Sequence, residues 1–212
     1  MRKIFLTAVL ALILSVPNFC GAVNVSREQS TFHDMIFYPQ VHMNDAALEK
    51  KINTAIIAEI DRFVTGVYNN AQANSFEVAD IRADYEIACN EAGGTVILSI
   101  IFTESNYFAG GAHPATIKRA LNINTASGEL MSIDYLLEVG EGVSPEHFRK
   151  KIETALRRYC AREGIMLFND ALPLKQLPQE FYWDKNLHVH FIFNHYEVAP
   201  YAAGIIDVDI DA

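Results

Sequence analysis

Positive charge is in short supply: 17 Lys and Arg stand against 26 Asp and Glu in 212 residues, a formal net charge of −9 at pH 7. Phosphate backbones are bound by clustered cations whose counterions are released, so nucleic acid is not expected as a partner. Long apolar runs are also scarce. The longest, Ile4 to Val16, falls short of the roughly 20 residues a spanning helix needs. The familiar catalytic signatures are missing too. There is no Gly-x-Ser-x-Gly elbow, His-Glu-x-x-His helix, phosphate loop or dinucleotide fingerprint, and no cofactor is expected. Repeats and low-complexity tracts are absent, which excludes solenoids and fibres.

What is present begins with a leader. Arg2 and Lys3, the apolar run and the small-residue ending Cys20-Gly21-Ala22 have the layout of a secretory signal peptide. Phe19 directly before Cys20 is a poor match to lipoprotein processing, so cleavage after Ala22 is expected. The mature chain, 23–212, would be exported to the periplasm or beyond, without a membrane span. Loss of Arg2 and Lys3 takes its charge from −9 to −11. Such a surface is soluble and can steer a cationic protein. Half of the residues are apolar, sufficient for one sizeable core or for two interlocked subdomains, about 23–104 and 105–212.

Three cysteines become two, Cys89 and Cys160, once the leader is gone. In an exported chain an even pair can bridge, and closing a loop of about seventy residues would contribute about 4 kcal/mol. Two separately buried thiols are the alternative, because Cys89 lies in a strand pattern and Cys160 near a helix end.

Periodicity sorts the chain into an α+β order. Thr31 to Val41 reads as a first strand, and Asn44 or Asp45 caps a helix carrying Leu48, Ile52, Ile56, Ile60, Phe63 and Val67 on one side. Tyr68 to Ser75 is expected to end it. Phe76 to Cys89 and Thr95 to Thr103 read as a hairpin about a Gly-containing turn. The second arm is apolar on both faces, hence central. Ser105 to Pro114 is the longest loop signal, followed by a strand over Ile117 to Asn124 and a short helix from Ser132 to about Glu138. Ser144-Pro145-Glu146 starts a helix that Gly164 stops. Glu180 to Trp183 and Leu187 to Phe193 are strands. The last leads into Asn194 to Gly204, an aromatic corner, and a closing strand; these arms are expected to anchor a mainly antiparallel sheet packed with two long helices.

Two stretches hold the candidate binding residues. Tyr107, Gly110, Gly111 and His113 lie in the Gly-rich loop, where the glycines allow close backbone approach beside one titratable ring. Tyr196, Glu197 and Tyr201 lie in the corner, whose rings either fill a core or face a ligand. No catalytic residue is assigned. His188 and His190 point to one strand face, the geometry in which two imidazoles bind zinc; a third ligand is needed, which His113 or His195 could supply, although nothing in the sequence brings them together.

Gly110-Gly-Ala-His-Pro114 after an apolar strand, and Phe191-x-Phe-Asn-x-Tyr-Glu-Val-Ala-Pro-Tyr-Ala-Ala-Gly204 before a closing strand, resemble the two signatures of an extracytoplasmic bacterial domain family. Its members include the outer domain of the lysozyme-sensing anti-sigma factor RsiV and the N-terminal region of the peptidoglycan deacetylase PdaC. The resemblance spans nearly all of 23–212 and implies an α+β fold. It also implies a non-enzymatic binding or sensing role, with lysozyme or a cell-wall component such as peptidoglycan as ligand. Neither an anti-sigma segment nor a deacetylase catalytic domain is recognisable here, so those activities do not carry over. A cell-envelope hydrolase using the His113 loop, metal-assisted through His188 and His190, is the alternative.

Overall fold

Nine strands and three helices follow one another in the computed structural model, which describes residues 22–139 and 144–211. They are β1 (Asn24–Gln29), β2 (Phe37–His42), α1 (Ala46–Asn74), β3 (Val78–Asn90), β4 (Ile97–Phe108), β5 (Ala115–Asn124), β6 (Glu129–Leu130), α2 (Ile133–Val139), α3 (Pro145–Glu163), β7 (Phe181–Trp183), β8 (Val189–Phe193) and β9 (Ile206–Asp209). The leader expected over Met1–Ala22 and the link before Ser144 lie outside the described residues, Ala22 excepted.

β4 explains the layering. It is an interior strand of the antiparallel sheet β3-β4-β5-β6, and every residue from Ile97 to Phe102 is buried. Side chains alternate between faces along a strand. Leu98, Ile100 and Phe102 therefore pack with Ile52, Ile56, Ile60, Phe63 and Val67 of α1, while Ile97 joins the second core and Ile101 meets Tyr182 and Ile192. The second core is built from α2, α3 and the antiparallel sheet β7-β8-β9. A subdomain boundary near residue 104 falls within β4.

Polar groups fix the layers in register. The buried Ser99 hydroxyl donates to Asn122 Oδ1 (2.7 Å), Asn122 Nδ2 donates to the Phe181 carbonyl (2.6 Å), and Trp183 N donates back to Ser99 (3.2 Å). Asn53 on α1 bonds both the N–H and the C=O of Val41, each at 2.8 Å, holding the β1–β2 hairpin to the helix. That hairpin reaches the edge of β3 through a parallel bridge between Ile36 and Ala83.

The fold is α+β with antiparallel sheets, as expected, and its local differences have physical causes. The first strand is a hairpin rather than one segment. β1 has little apolar content and is held by pairing with β2, while Arg27 lies 4.1 Å over Phe37 and forms a bidentate pair with Asp84. α1 runs seven residues past Val67, to Asn74, because Ala71 is buried and Asn74 bonds back to Asn70; Ser75, left-handed at φ 56°, stops it. Its N-cap is Asp45, accepting from Ala47 N and Leu48 N. β4 extends to Phe108 because both neighbours continue to pair with it, leaving a shorter loop than the glycines implied. Ser144 caps α3 by accepting from His147 N, and Gly164 ends it at φ 67°.

Candidate functional site

The two signature segments meet. β8 ends at Phe193, and Asn194 then clamps the corner onto β5, its Oδ1 accepting from Lys118 N (2.7 Å) and its Nδ2 donating to Lys118 O (3.0 Å). Asn194 N donates to Glu197 Oε2 (3.0 Å) and Glu197 N to Asn194 O (3.2 Å), closing a turn in which Tyr196 takes φ 66°. A short 3₁₀ turn over Tyr201–Ala203 follows, ended by Gly204 at φ 73°, ψ −168°, a region essentially restricted to glycine.

This path inserts Tyr201 between two imidazoles. Its ring centroid lies 4.1 Å from that of His113 and 4.3 Å from that of His195, and Tyr196 stands 5.8 Å away, 60% exposed. His113 is held by its own loop, Nδ1 lying 2.9 Å from Pro114 O, and Tyr107 donates to Gly111 O at 2.8 Å. Gly111 lies in a tight place: a Cβ there would stand 3.1 Å from Phe108 O and 3.4 Å from the Tyr107 ring. Gly110, at φ 81°, shapes the loop.

Tyr107, Gly111, His113, Tyr196 and Tyr201 thus form one continuous surface, while Glu197, exposed, bonds the Asn194 turn beside it. Two contributors are not among the binding residues expected from the sequence, where His195 enters only as a candidate third metal ligand. His195 supplies the inner face of the stack, and its Nδ1 is buried without a hydrogen-bond partner. Asn194 positions the whole corner. Asn-His following an apolar strand is the only local signal for either. The arrangement is a cluster of partly exposed aromatic rings. Among the described residues, no nucleophile and no carboxylate that would activate His113 bonds to it.

His188 and His190 do share a face, but each is committed to a carboxylate. His188 Nδ1 lies 2.9 Å from Asp209 Oδ2, and His190 Nδ1 lies 2.9 Å from Asp207 Oδ1. Tyr182 stacks on His190 at 4.7 Å and donates to Asp207 at 2.7 Å. Burial opposes charge on His190, but the Asp207 hydrogen bond and the nearby carboxylates outweigh it and raise its pKa. Among the described residues no group of three or more His, Cys, Asp or Glu is arranged to hold a metal ion.

Cys89 and Cys160 are free, buried thiols, so the bridge weighed for them is not formed. Both pack as small apolar groups in the α2/α3 core. Burial raises both thiol pKa values, away from the thiolate that disulfide exchange requires.

Two family models match the chain. Residues 25–116 match that described as deacetylase PdaC, and residues 146–212 that described as a protein of unknown function (DUF3298). No curated protein matches it. Among solved structures, the fold is similar to a DUF3298 family protein from Pseudomonas aeruginosa PAO1, with a TM-score of 0.58, 12% identity, and coverage of 89% of this chain and 88% of that one. It is likewise similar to a DUF3298 family member from Bacteroides fragilis NCTC 9343, with a TM-score of 0.52, 16% identity, and coverage of 91% and 89%. These identities carry the fold alone. Among the described residues no helix is long and apolar enough to cross a membrane.

Proposed function

We propose, from the premise that this chain is a PdaC/DUF3298-like domain, that it is an exported, non-enzymatic binding domain whose contact surface is the aromatic corner. One observation carries the reading: the Tyr201 ring lies against His113, centroids 4.1 Å apart, which joins two sequence-distant signatures into a single surface led by Tyr196. Rigid, amphipathic rings of this kind are typical anchors of binding surfaces, since little conformational entropy is lost when they are covered. The ligand proposed is a cationic protein of the lysozyme type. An excess of acidic groups, −9 over the whole sequence, favours its encounter by electrostatic steering.

Retention of the purified mature protein on immobilised lysozyme and on peptidoglycan, at low and moderate salt, tests this reading. Binding to lysozyme that weakens with salt is expected, with a loss of about tenfold or more in Tyr196→Ala. Retention on peptidoglycan alone would replace the ligand, and retention on neither would end the proposal. The hydrolase alternative rests on His113 alone and predicts turnover of wall fragments that His113→Ala abolishes.

A further inference from the structure

Val23 is the first residue of the expected mature chain, and the fold treats it differently from the residue before it. Ala22 is exposed, whereas Val23 is half-buried and its side chain, like those of Met43 and Leu48, packs against the α1 core. Asn90, at the end of β3, bonds both of its backbone groups: Val23 N donates to Asn90 Oδ1 at 3.0 Å, and Asn90 Nδ2 donates to Val23 O at 2.9 Å. A side-chain amide thus stands in for a strand partner one residue before β1 begins.

Ala22 and Val23 also line a recess of about 670 Å³, together with His42, Asp45 and Glu91. Among the described residues no Lys or Arg lines it. Asp45 commits its carboxylate to the amides of Ala47 and Leu48, and His42 Nε2 lies 2.8 Å from Ser26 Oγ. Glu91 is different. It is buried, accepts a hydrogen bond from the Thr125 hydroxyl and pairs with no cation among the described residues. A buried carboxylate without a counter-ion is unfavourable, so the recess is matched by a cation.

We propose that this recess seats the amino terminus of the mature chain: hydrolysis of the Ala22–Val23 bond frees an ammonium group on Val23 that stays bonded to Asn90 Oδ1 and supplies the cation the recess lacks. In that step a leader peptidase adds one water, the hydroxyl going to the Ala22 carbonyl carbon and the hydrogen to Val23 N, which takes up a further proton at neutral pH. A peptide N–H donates once and an ammonium three times, so the bond to Asn90 is kept while charge and two more donors are gained. A chain that retains Ala22 puts a neutral amide at the same place and leaves Glu91 without a counter-ion. Cleavage further along destroys the clamp, because Val23 itself is lost. The seat shares with the aromatic corner only the premise of export, and retention on lysozyme tests the corner alone.

Mass spectrometry of the protein exported by cells that express the full chain should give Val23 as its first residue. Acylation of that α-amine by acetic anhydride, followed against pH in the native state and in urea, then reports its pKa, since only the unprotonated amine reacts. An ammonium held by an acceptor in an anionic recess should titrate about one unit above the unfolded value, itself about 7.7–8.0, so that at pH 7 the native protein reacts about tenfold more slowly. Glu91→Gln, which keeps an acceptor for Thr125, and Asn90→Ala should each return the midpoint toward that of the unfolded chain, while Tyr196→Ala should leave it where it is. A first residue other than Val23, or a native midpoint at or below the unfolded one, would overturn the proposal, and the parent protein decides both whether or not the variants fold.

Discussion

The two tyrosines of the corner are close in sequence yet sit in different environments, and their removal should have different consequences. Tyr201 is half-buried between His113 and His195, so Tyr201→Ala empties the stack and exposes the unpaired imidazole beneath. A loss of about 2–3 kcal/mol is expected, below the full value for a buried aromatic because the ring is partly solvated. Tyr196 projects outward, and Tyr196→Ala should change stability by less than about 0.5 kcal/mol while affinity falls. Urea denaturation of both variants checks this, and equal losses would refute the assignment. Local chemistry made the rings and the loop glycines visible in the sequence. That His113 meets Tyr201 was not legible, because the contact depends on Asn194 bonding to the backbone of Lys118 across two sheets.

Elements were legible where burial imposes a period, and less so where a neighbour imposes the structure. α3 announces both ends in its own residues, Ser144 and Gly164. β1 does not: its apolar content is low and it exists as the partner of β2. The docking of β7 was equally hidden, since Ser99 and Asn122 look like ordinary polar residues in strands yet form the hydrogen-bonded seam between sheets. Asn122→Ala leaves the Ser99 hydroxyl and the Phe181 carbonyl without this partner in a buried layer. A cost of about 2 kcal/mol is expected. The sole tryptophan, Trp183, lies fully buried at that seam, so its fluorescence reports the transition directly. An unfolding midpoint unchanged from the parent would mean that water replaces the side chain at no cost.

Across the whole molecule, groups whose pKa values are raised set how stability responds to pH, and they act in the same direction: Glu104 and His190, together with Glu91 and Glu197. Glu104, fully buried on β4, has its pKa raised to about 7 by desolvation, although Arg62 opposes this from 3.1 Å. A carboxyl group whose folded pKa exceeds its unfolded value binds more protons when folded. Its contribution is fully present below about 4.5 and is lost as pH rises through about 7. His190, also raised, adds stability that is present below its ordinary value near 6.5 and disappears as pH climbs through its folded pKa. Opposing these, Asp84 and Asp209 have lowered pKa values. The stability they contribute is present above about 3.8 and is lost as acid titrates them. The denaturation midpoint should therefore peak in mild acid, near pH 5, and decline toward pH 8. Glu104→Gln keeps the shape and a hydrogen-bond acceptor for Arg62, which also retains Glu59 as a partner. It should remove a fall on the order of 2 kcal/mol between pH 4.5 and 7.5, leaving the shallower slope owed to His190, Glu91 and Glu197. Urea titrations of parent and variant across that range measure the difference, and parallel curves would show that Glu104 is ionised in the folded protein throughout.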